Sequence, residues 1–357
     1  MKKSSNSNSP VVKRFWPAKA ARPSVGLDIG ISSCRLVEIV KKDKSYEFVR
    51  SANEPIQNGD AAAAIRRLMT KATPPVVAHA SAVAGKGMLI RFVDMPQMNQ
   101  TDLKKSFSLE VDKYFPFPKD QIYTDCCIID PKIKDNKMFV LVAAARKELI
   151  NDRIKLLGDA GLQADFIALN STAIANVLNV LGSPDAAEAP ADKSSGAVAV
   201  LDTGEAVSNL LITVDNRPRF NRDIFIGGRD FTKSISNALR VTREEAEKLK
   251  KTPGPRTEEV KGVIESTIFD LVSEMKLSFD YFVTESNIAI SRLLLTGGNS
   301  LLEELPDSLA KHLEIPVKTW DPLARLKSAA GAATTEPTEQ GGTWAVALGL
   351  ALYGCHD

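Results

Sequence analysis

Cysteine and histidine are scarce in this 357-residue chain, and the few present are scattered. The four cysteines are Cys34, Cys126, Cys127 and Cys355, and none forms a CxxC pair. Cys126 and Cys127 are adjacent and would point to opposite faces of a strand, so neither a disulfide framework nor a metal site is indicated. A reducing, cytoplasmic setting fits that usage. His79, His312 and His356 stand far apart, which leaves little material for imidazole-based metal or triad chemistry. No stretch reaches the roughly 18 apolar residues of a membrane span. The N-terminal MKKSSNSNSPVVKRFWPAKAARP has no apolar core, so it does not read as a secretory signal.

Acidic residues are missing from the start as well. None precedes Asp28, while Lys2, Lys3, Lys13, Arg14, Lys19 and Arg22 are all cationic. Setting these against a formal net charge of +2 leaves the remainder near −4. That excludes a general nucleic-acid binder, because phosphate affinity needs a basic surface. Residues 1–23 read as a disordered tail from their Ser, Asn and Pro content. The alternative is that VVKRFWPAK, with Phe15 and Trp16 among cations, touches an anionic membrane surface. A composition of 25% charged and 44% hydrophobic residues is that of a globular protein. The length suits two domains, each with its own core.

What is present is a repeated skeleton. LDIGISSCRLVEIV (Leu27 to Val40) and LDTGEAVSNLLITV (Leu201 to Val214) share Leu, Asp and Gly at their first, second and fourth places, and Leu and Val at the tenth and fourteenth. Each reads as a strand, a tight turn and a second strand. The aspartate sits at the strand end, where its carboxylate can face a cation, and the glycine lets a phosphate approach the main chain.

Around these hairpins the pattern is mixed. SVGLDIG, CRLVEIVKK and SYEFVRSANEPI read as strands, Asp60 to Lys71 as a helix, and PVVAHASAVAG as a buried strand. From Lys86 to Gln163 a βαββα unit is inserted. In it Thr101 or Asp102 caps a helix with Leu103, Phe107, Val111 and Tyr114 on one face, and a second helix turns Ile150, Ile154 and Leu157 inward. Phe115 to Pro118 is a rigid apolar corner, either core or the edge of a peptide groove between this unit and the first sheet. A strand and an apolar helix follow, then the Ser183 to Gly196 linker, after which the strand plan restarts. VTREEAEKLKK is a helix capped by Thr242, Glu258 to Glu285 is a long helix, and LLLTGGN is a strand and glycine turn leading to another helix. Ser328 to Gly342 is a polar segment before a final apolar helix too short to cross a bilayer.

The two strand-aspartate-glycine hairpins, the AExxK helix and the LLLTGGN turn, in this order, resemble the actin-like ATPase superfamily of actin, Hsp70 and FtsA. The inserted unit, with AVAGKGMLIRFVDMP, SLEVDKYFPFP and IGGRDFTKSISNALRVTREEAEKLK, is similar to the PilM family of type IV pilus assembly. The resemblance implies an α/β, duplicated actin-like fold: two mixed-sheet halves around a nucleotide cleft. Its parts would be a tail (1–23), the first half of domain 1 (24–85), the insertion (86–163), a return to domain 1 (164–182), a linker (183–196), domain 2 (197–342) and a C-terminal helix packing back on domain 1 (343–357).

The resemblance also implies ATP as ligand. Asp28, Gly30, Ser32 and Ser33 would meet the β-phosphate, with Arg35 where the family usually has lysine. Asp202, Thr203 and Gly204 form the second loop, followed by Glu205 where a small residue is more common. Glu247 and Lys250 match the ribose pair, although an exposed ion pair would have the same spacing. Gly297, Gly298 and Asn299 would form the adenosine turn, and Asp28 and Asp202 would hold Mg²⁺ through water. Asn170 is the candidate for positioning water; it cannot act as a base, so nucleotide binding with slow turnover is expected. The implied partner is the N-terminal cytoplasmic peptide of a PilN-like inner-membrane protein, with the chain peripheral to that membrane beside other assembly-platform proteins. Two rival readings are a small-molecule kinase of the same superfamily and an FtsA-like filament protein.

Overall fold

The computed structural model describes residues 23–43, 45–72, 80–184, 196–334 and 341–355. The basic tail, most of the linker and the first part of PVVAHASAVAG lie outside the described residues. β1 (Ser24–Ile29), β2 (Ser33–Lys42) and β3 (Ser45–Pro55) form an antiparallel meander. Asp60 caps α1 (Ala61–Met69), its carboxylate accepting from the Ala63 amide at 2.8 Å. β4 (Ala80–Val83) then lies parallel to β1.

The inserted unit has the expected order: β5 (Met88–Pro96), α2 (Gln100–Tyr114), β6 (Ile122–Asp130), β7 (Lys137–Arg146) and α3 (Lys147–Asp159). Its antiparallel sheet runs β5-β7-β6, with Leu103, Phe107 and Val111 of α2 buried against Met138, Val140 and Val142 of β7. Two local readings need correction. Asn99 caps α2, not Thr101 or Asp102: its side chain accepts from the Asp102 amide at 2.9 Å and donates to the Asp102 carboxylate at 2.7 Å. A cap needs an acceptor three residues ahead of a free N–H, and Asn99 supplies it. In α3, Ile150 and Leu157 turn inward but Ile154 is 54% exposed, because the half-buried Arg153 takes the inward place between them.

β8 (Phe166–Leu169) joins the first sheet parallel to β4 and leads into α4 (Asn170–Leu181). The second half repeats the plan with β9 (Ala197–Thr203), β10 (Ser208–Val214), β11 (Arg217–Ile224), α5 (Gly228–Leu239), α6 (Arg243–Lys251), α7 (Thr257–Ser286), β12 (Ile290–Thr296), α8 (Leu305–Leu313) and β13 (Val317–Thr319). Its sheet runs β11-β10-β9-β12-β13, and the first runs β14-β3-β2-β1-β4-β8, where β14 is Lys327–Thr334. Apart from β14 the orders match, a three-stranded meander followed by two parallel strands. β14 is unexpected: part of the supposed polar segment pairs in parallel with β3, so the chain re-enters the first sheet near Lys327. Its Ala, Gly and Ser residues carry little strand propensity, and the backbone ladder along β3 supplies the order.

α9 (Ala345–Tyr353) and α4 fill the space between the two sheets. Their cluster takes Val37 and Ile39 from the first sheet and Val200, Leu211 and Leu294 from the second. The helices touch backbone to backbone, since a Cβ on Gly349 would lie 1.9 Å from the Ala173 carbonyl oxygen. Ser24 Oγ donates to the Ala351 carbonyl at 2.6 Å, and Tyr353 donates to the Thr172 carbonyl at 3.0 Å. These contacts anchor α9 to the first half.

Candidate functional site

The two hairpins are built alike to the level of single hydrogen bonds. Asp28 pairs with Arg35 and Ile29 with Cys34; Asp202 pairs with Asn209 and Thr203 with Ser208. Each turn is closed by its glycine, Gly30 N donating to Ser33 O and Gly204 N to Val207 O, both at 3.0 Å. A side chain at either glycine would press on the carbonyl it bonds, at 3.1 Å from Ser33 O and 2.8 Å from Val207 O. Both turns therefore keep a bare main chain at their tips. Ser32 is exposed at the first tip, whereas Ser33 is buried.

The hairpins face one another. Arg35 Nη1 lies 3.7 Å from Asp28 Oδ2, and its Nη2 is 3.8 Å from where a Cβ on Gly298 would sit, so the arginine spans the space between the halves. Burial raises the Asp28 carboxyl above its ordinary range, and Arg35 and Arg153 pull against it. Burial pushes Asp202 up to about 7; the charge of Asp28 adds to this, Arg35 opposes it, and Asp223 adds again. Two carboxyls thus share a cleft that disfavours ionising both.

The second hairpin is braced from behind. Gly297 (φ +88) is forced by crowding: a Cβ there would lie 2.6 Å from Asp202 Oδ1 and from the Thr203 amide. Thr203 Oγ1 donates to Thr296 O at 3.0 Å, and Asn299 Nδ2 donates to Gly204 O at 2.7 Å and Thr203 O at 3.2 Å. Asn299 therefore spends its amide on holding the turn.

Glu205, at the tip, lies 3.7 Å from Arg243 of α6. Burial lifts its carboxyl, Lys250 opposes, and Glu247 adds. Glu247 and Lys250 are not an exposed ion pair, since Lys250 is 7% exposed. Its ammonium donates to Gly228 O at 3.1 Å, to Thr232 Oγ1 at 2.9 Å and to Glu247 Oε2 at 2.6 Å. Burial raises Glu247, but hydrogen bonds from Lys250 and Thr232 outweigh it and hold the carboxyl low. The pair bolts α6 to the start of α5. Thr242 and Glu245 close the α6 capping box reciprocally, at 2.9 and 3.2 Å.

Asn170 opens α4 after β8. β1, β4 and β8 are parallel neighbours, so Asn170 and Asp28 stand at the same C-terminal strand edge, where open α/β sheets bind ligands. Sequence reasoning did not single out Arg153, Asn209 or Asp223. Asn209 was discoverable, because it overlays Arg35 in the aligned hairpins; it donates to Asp223 Oδ1 at 2.6 Å. Among the described residues no cluster of His, Cys, Asp and Glu forms a metal site.

A groove of about 650 Å³ lies between the inserted sheet and the first half. Tyr123, Cys127 and Leu141 form one wall, Phe166 and Tyr353 another, and Pro218 of β11 closes one end. Two edge strands border it, β6 of the three-stranded sheet and β8 of the six-stranded one. The Phe115 to Pro118 corner is split: Phe115 is buried against Phe107 and the Arg146 guanidinium stands 5.4 Å over the half-buried Phe117 ring, while Pro116 and Pro118 are exposed. The inserted sheet also grips the second half. Arg217 of β11 pairs with Asp130 at 2.9 Å, and the Arg219 guanidinium lies 4.4 Å over the Phe139 ring.

Residues 26–355 match the family model of the type IV pilus assembly protein PilM. Among solved structures, the chain is similar to a PilM-PilN type IV pilus biogenesis complex, at 24% identity over 94% of this chain and 99% of that one, with a TM-score of 0.79. It is also similar to the ethanolamine utilization protein EutJ from Carboxydothermus hydrogenoformans, at 15% identity over 96% and 94%, with a TM-score of 0.55. The fold is the duplicated actin-like one.

Proposed function

The chain belongs to the PilM family of type IV pilus assembly proteins, and from that premise we propose that it is a nucleotide-gated scaffold holding the N-terminal cytoplasmic peptide of a PilN-like inner-membrane protein. The observation that carries this is the groove between β6 and β8, each the outermost strand of its sheet among the described residues. An extended peptide gains main-chain hydrogen bonds by adding to such an edge, while apolar walls select its side chains. The relative of highest TM-score given above is a complex with PilN, which supports the identity of the occupant. Among the described residues no helix is long and apolar enough to cross a membrane. A cytoplasmic scaffold, peripheral to the inner membrane and tethered by its partner, is consistent with that.

ATP with Mg²⁺ fits the residues of the cleft. The bare turns at Gly30 and Gly204 offer main-chain amides to phosphates. Asp28 and Asp202, both raised by burial, would gain a divalent ion held through water. Gly297 and Gly298 would face adenosine, and Glu247 and Lys250 would stand on the ribose side. The cation would offset phosphate charge, while Asn170 would orient a water without taking its proton. Turnover slower than about one per second is the expected result. β11 contributes Arg217 and Pro218 to the groove lining, so a closure of the cleft that shifted the second half would reach the groove.

The test is co-purification with a PilN-like inner-membrane partner. Removing the partner's N-terminal peptide, or filling the groove with Ala143→Trp, should abolish recovery. Undiminished recovery with either change would discard the groove as the peptide site. Separately, ATP at a hundred times its dissociation constant should stabilise the fold by about 2.7 kcal/mol, and no shift would leave a scaffold without nucleotide.

A further inference from the structure

One helix touches both candidate sites. On α3, Ile150 lines the groove and Asn151 accepts a hydrogen bond from Tyr123 of β6 at 3.4 Å. Three residues after Ile150, Arg153 reaches out of the inserted unit, and its Nη2 donates to the Ile29 carbonyl at 3.2 Å. Ile29 ends β1 immediately before Gly30, so this bond holds the base of the first hairpin. Further along, Leu157 and Ala160 are buried in the core beneath the first sheet. The helix is therefore fixed to the first half at one end and borders the groove at the other.

The arginine is not fully satisfied. Its Nη1 is buried with no hydrogen-bond partner among the described residues, and buried charged donors are ordinarily paired. Burial makes its charge costly, and attraction from Asp28 opposes that. An arginine held by one main-chain oxygen, with a donor to spare, responds to small shifts of the hairpin that carries that oxygen. A phosphate drawing Arg35 away from Asp28 would produce such a shift.

We propose that Arg153 is the positioning residue through which the inserted unit senses the first hairpin, so that occupancy of the cleft and the state of the groove are coupled. This rests on the nucleotide reading above. Coupling between two binding events is reciprocal, so nucleotide must alter the groove as much as a groove occupant alters nucleotide affinity.

Cys127 provides the readout, because it is exposed at the groove while Cys34, Cys126 and Cys355 are buried. The rate of its alkylation by a maleimide, assigned by peptide mass, is measured with and without ATP and Mg²⁺. In the wild type the nucleotide should change that rate by about fivefold or more, a typical coupling factor. Arg153→Ala should still show the nucleotide-dependent melting shift but lose the change in rate, and Arg153→Lys should restore part of it. A merely structural role would alter melting without separating these two readouts. If Arg153→Ala keeps the wild-type change in rate, or if wild type melts higher with ATP yet shows none, the coupling role falls and the nucleotide reading stands. If ATP shifts melting in no variant, both fall together.

Discussion

The two hairpins share a backbone and differ in charge. At the position where the first carries Arg35, paired across from Asp28, the second carries Asn209, paired across from Asp202. The first hairpin thus has its own cation and a second from the inserted unit. The second has a neutral amide hydrogen-bonded to another carboxylate, Asp223. On the nucleotide reading proposed above, the two turns would receive phosphates alike, and these side chains would decide which half needs a cation from outside. The second half is the one whose aspartate titrates near neutrality.

The sharpest way to break the comparison is to remove each aspartate. Asp202→Ala should abolish the ATP- and Mg²⁺-dependent melting shift, a loss of more than about a hundredfold in affinity, equivalent to about 2.7 kcal/mol. Asp28→Ala should lose less, because it also frees Arg35 for phosphate. Equal losses would show that the charge difference has no consequence.

A pH series comes next. In the folded chain Asp202 keeps its proton up to about 7, against 3.8 ordinarily. The folded state therefore binds the proton more tightly than the unfolded one. That contribution is complete below pH 3.8 and is lost as pH rises through about 7. Without nucleotide, Asp202→Asn should flatten the fall in melting temperature between pH 5 and 8, whereas Arg35 and Arg153 leave Asp28→Asn a smaller effect. A wild-type profile that rises over that range would contradict the assignment.

Smaller again is the glycine pair. Gly204→Ala should cost about 1–3 kcal/mol and Gly30→Ala about 1 kcal/mol, since the added carbon crowds Val207 O at 2.8 Å and Ser33 O at 3.1 Å. Denaturant titration of both decides the order. The smallest expected effect is Arg35→Lys, which keeps the charge but loses the planar fork. A few-fold weaker ATP affinity by calorimetry is expected, and no change would assign Arg35 to Asp28 alone.

Much of this was legible in the sequence because it is local. A strand, an aspartate and a turn glycine announce themselves within about eight residues, and Thr242 with Glu245 announces a helix start. What was not legible depends on distant neighbours. β14 has no apolar alternation of its own and becomes a strand only beside β3. Ile154 looked inward by periodicity, but the inward place went to Arg153, whose partner Ile29 is 124 residues away. Glu247 and Lys250 had the spacing of a surface pair, and only the approach of Gly228 and Thr232 made them a buried bolt. The groove belongs to no single segment, since its walls come from both halves and the insertion.

The seat of α9 also sets a schedule for synthesis. Ser24 and Ala351 are hydrogen-bonded across 327 positions of chain, so the part of the first sheet that α9 covers stays open while everything between them is translated, with α4 alone on that face. Contacts of such long range slow folding and leave apolar surface waiting. Newly made first halves should accordingly depend on chaperones until α9 leaves the ribosome, and the two halves should mature together instead of one after the other.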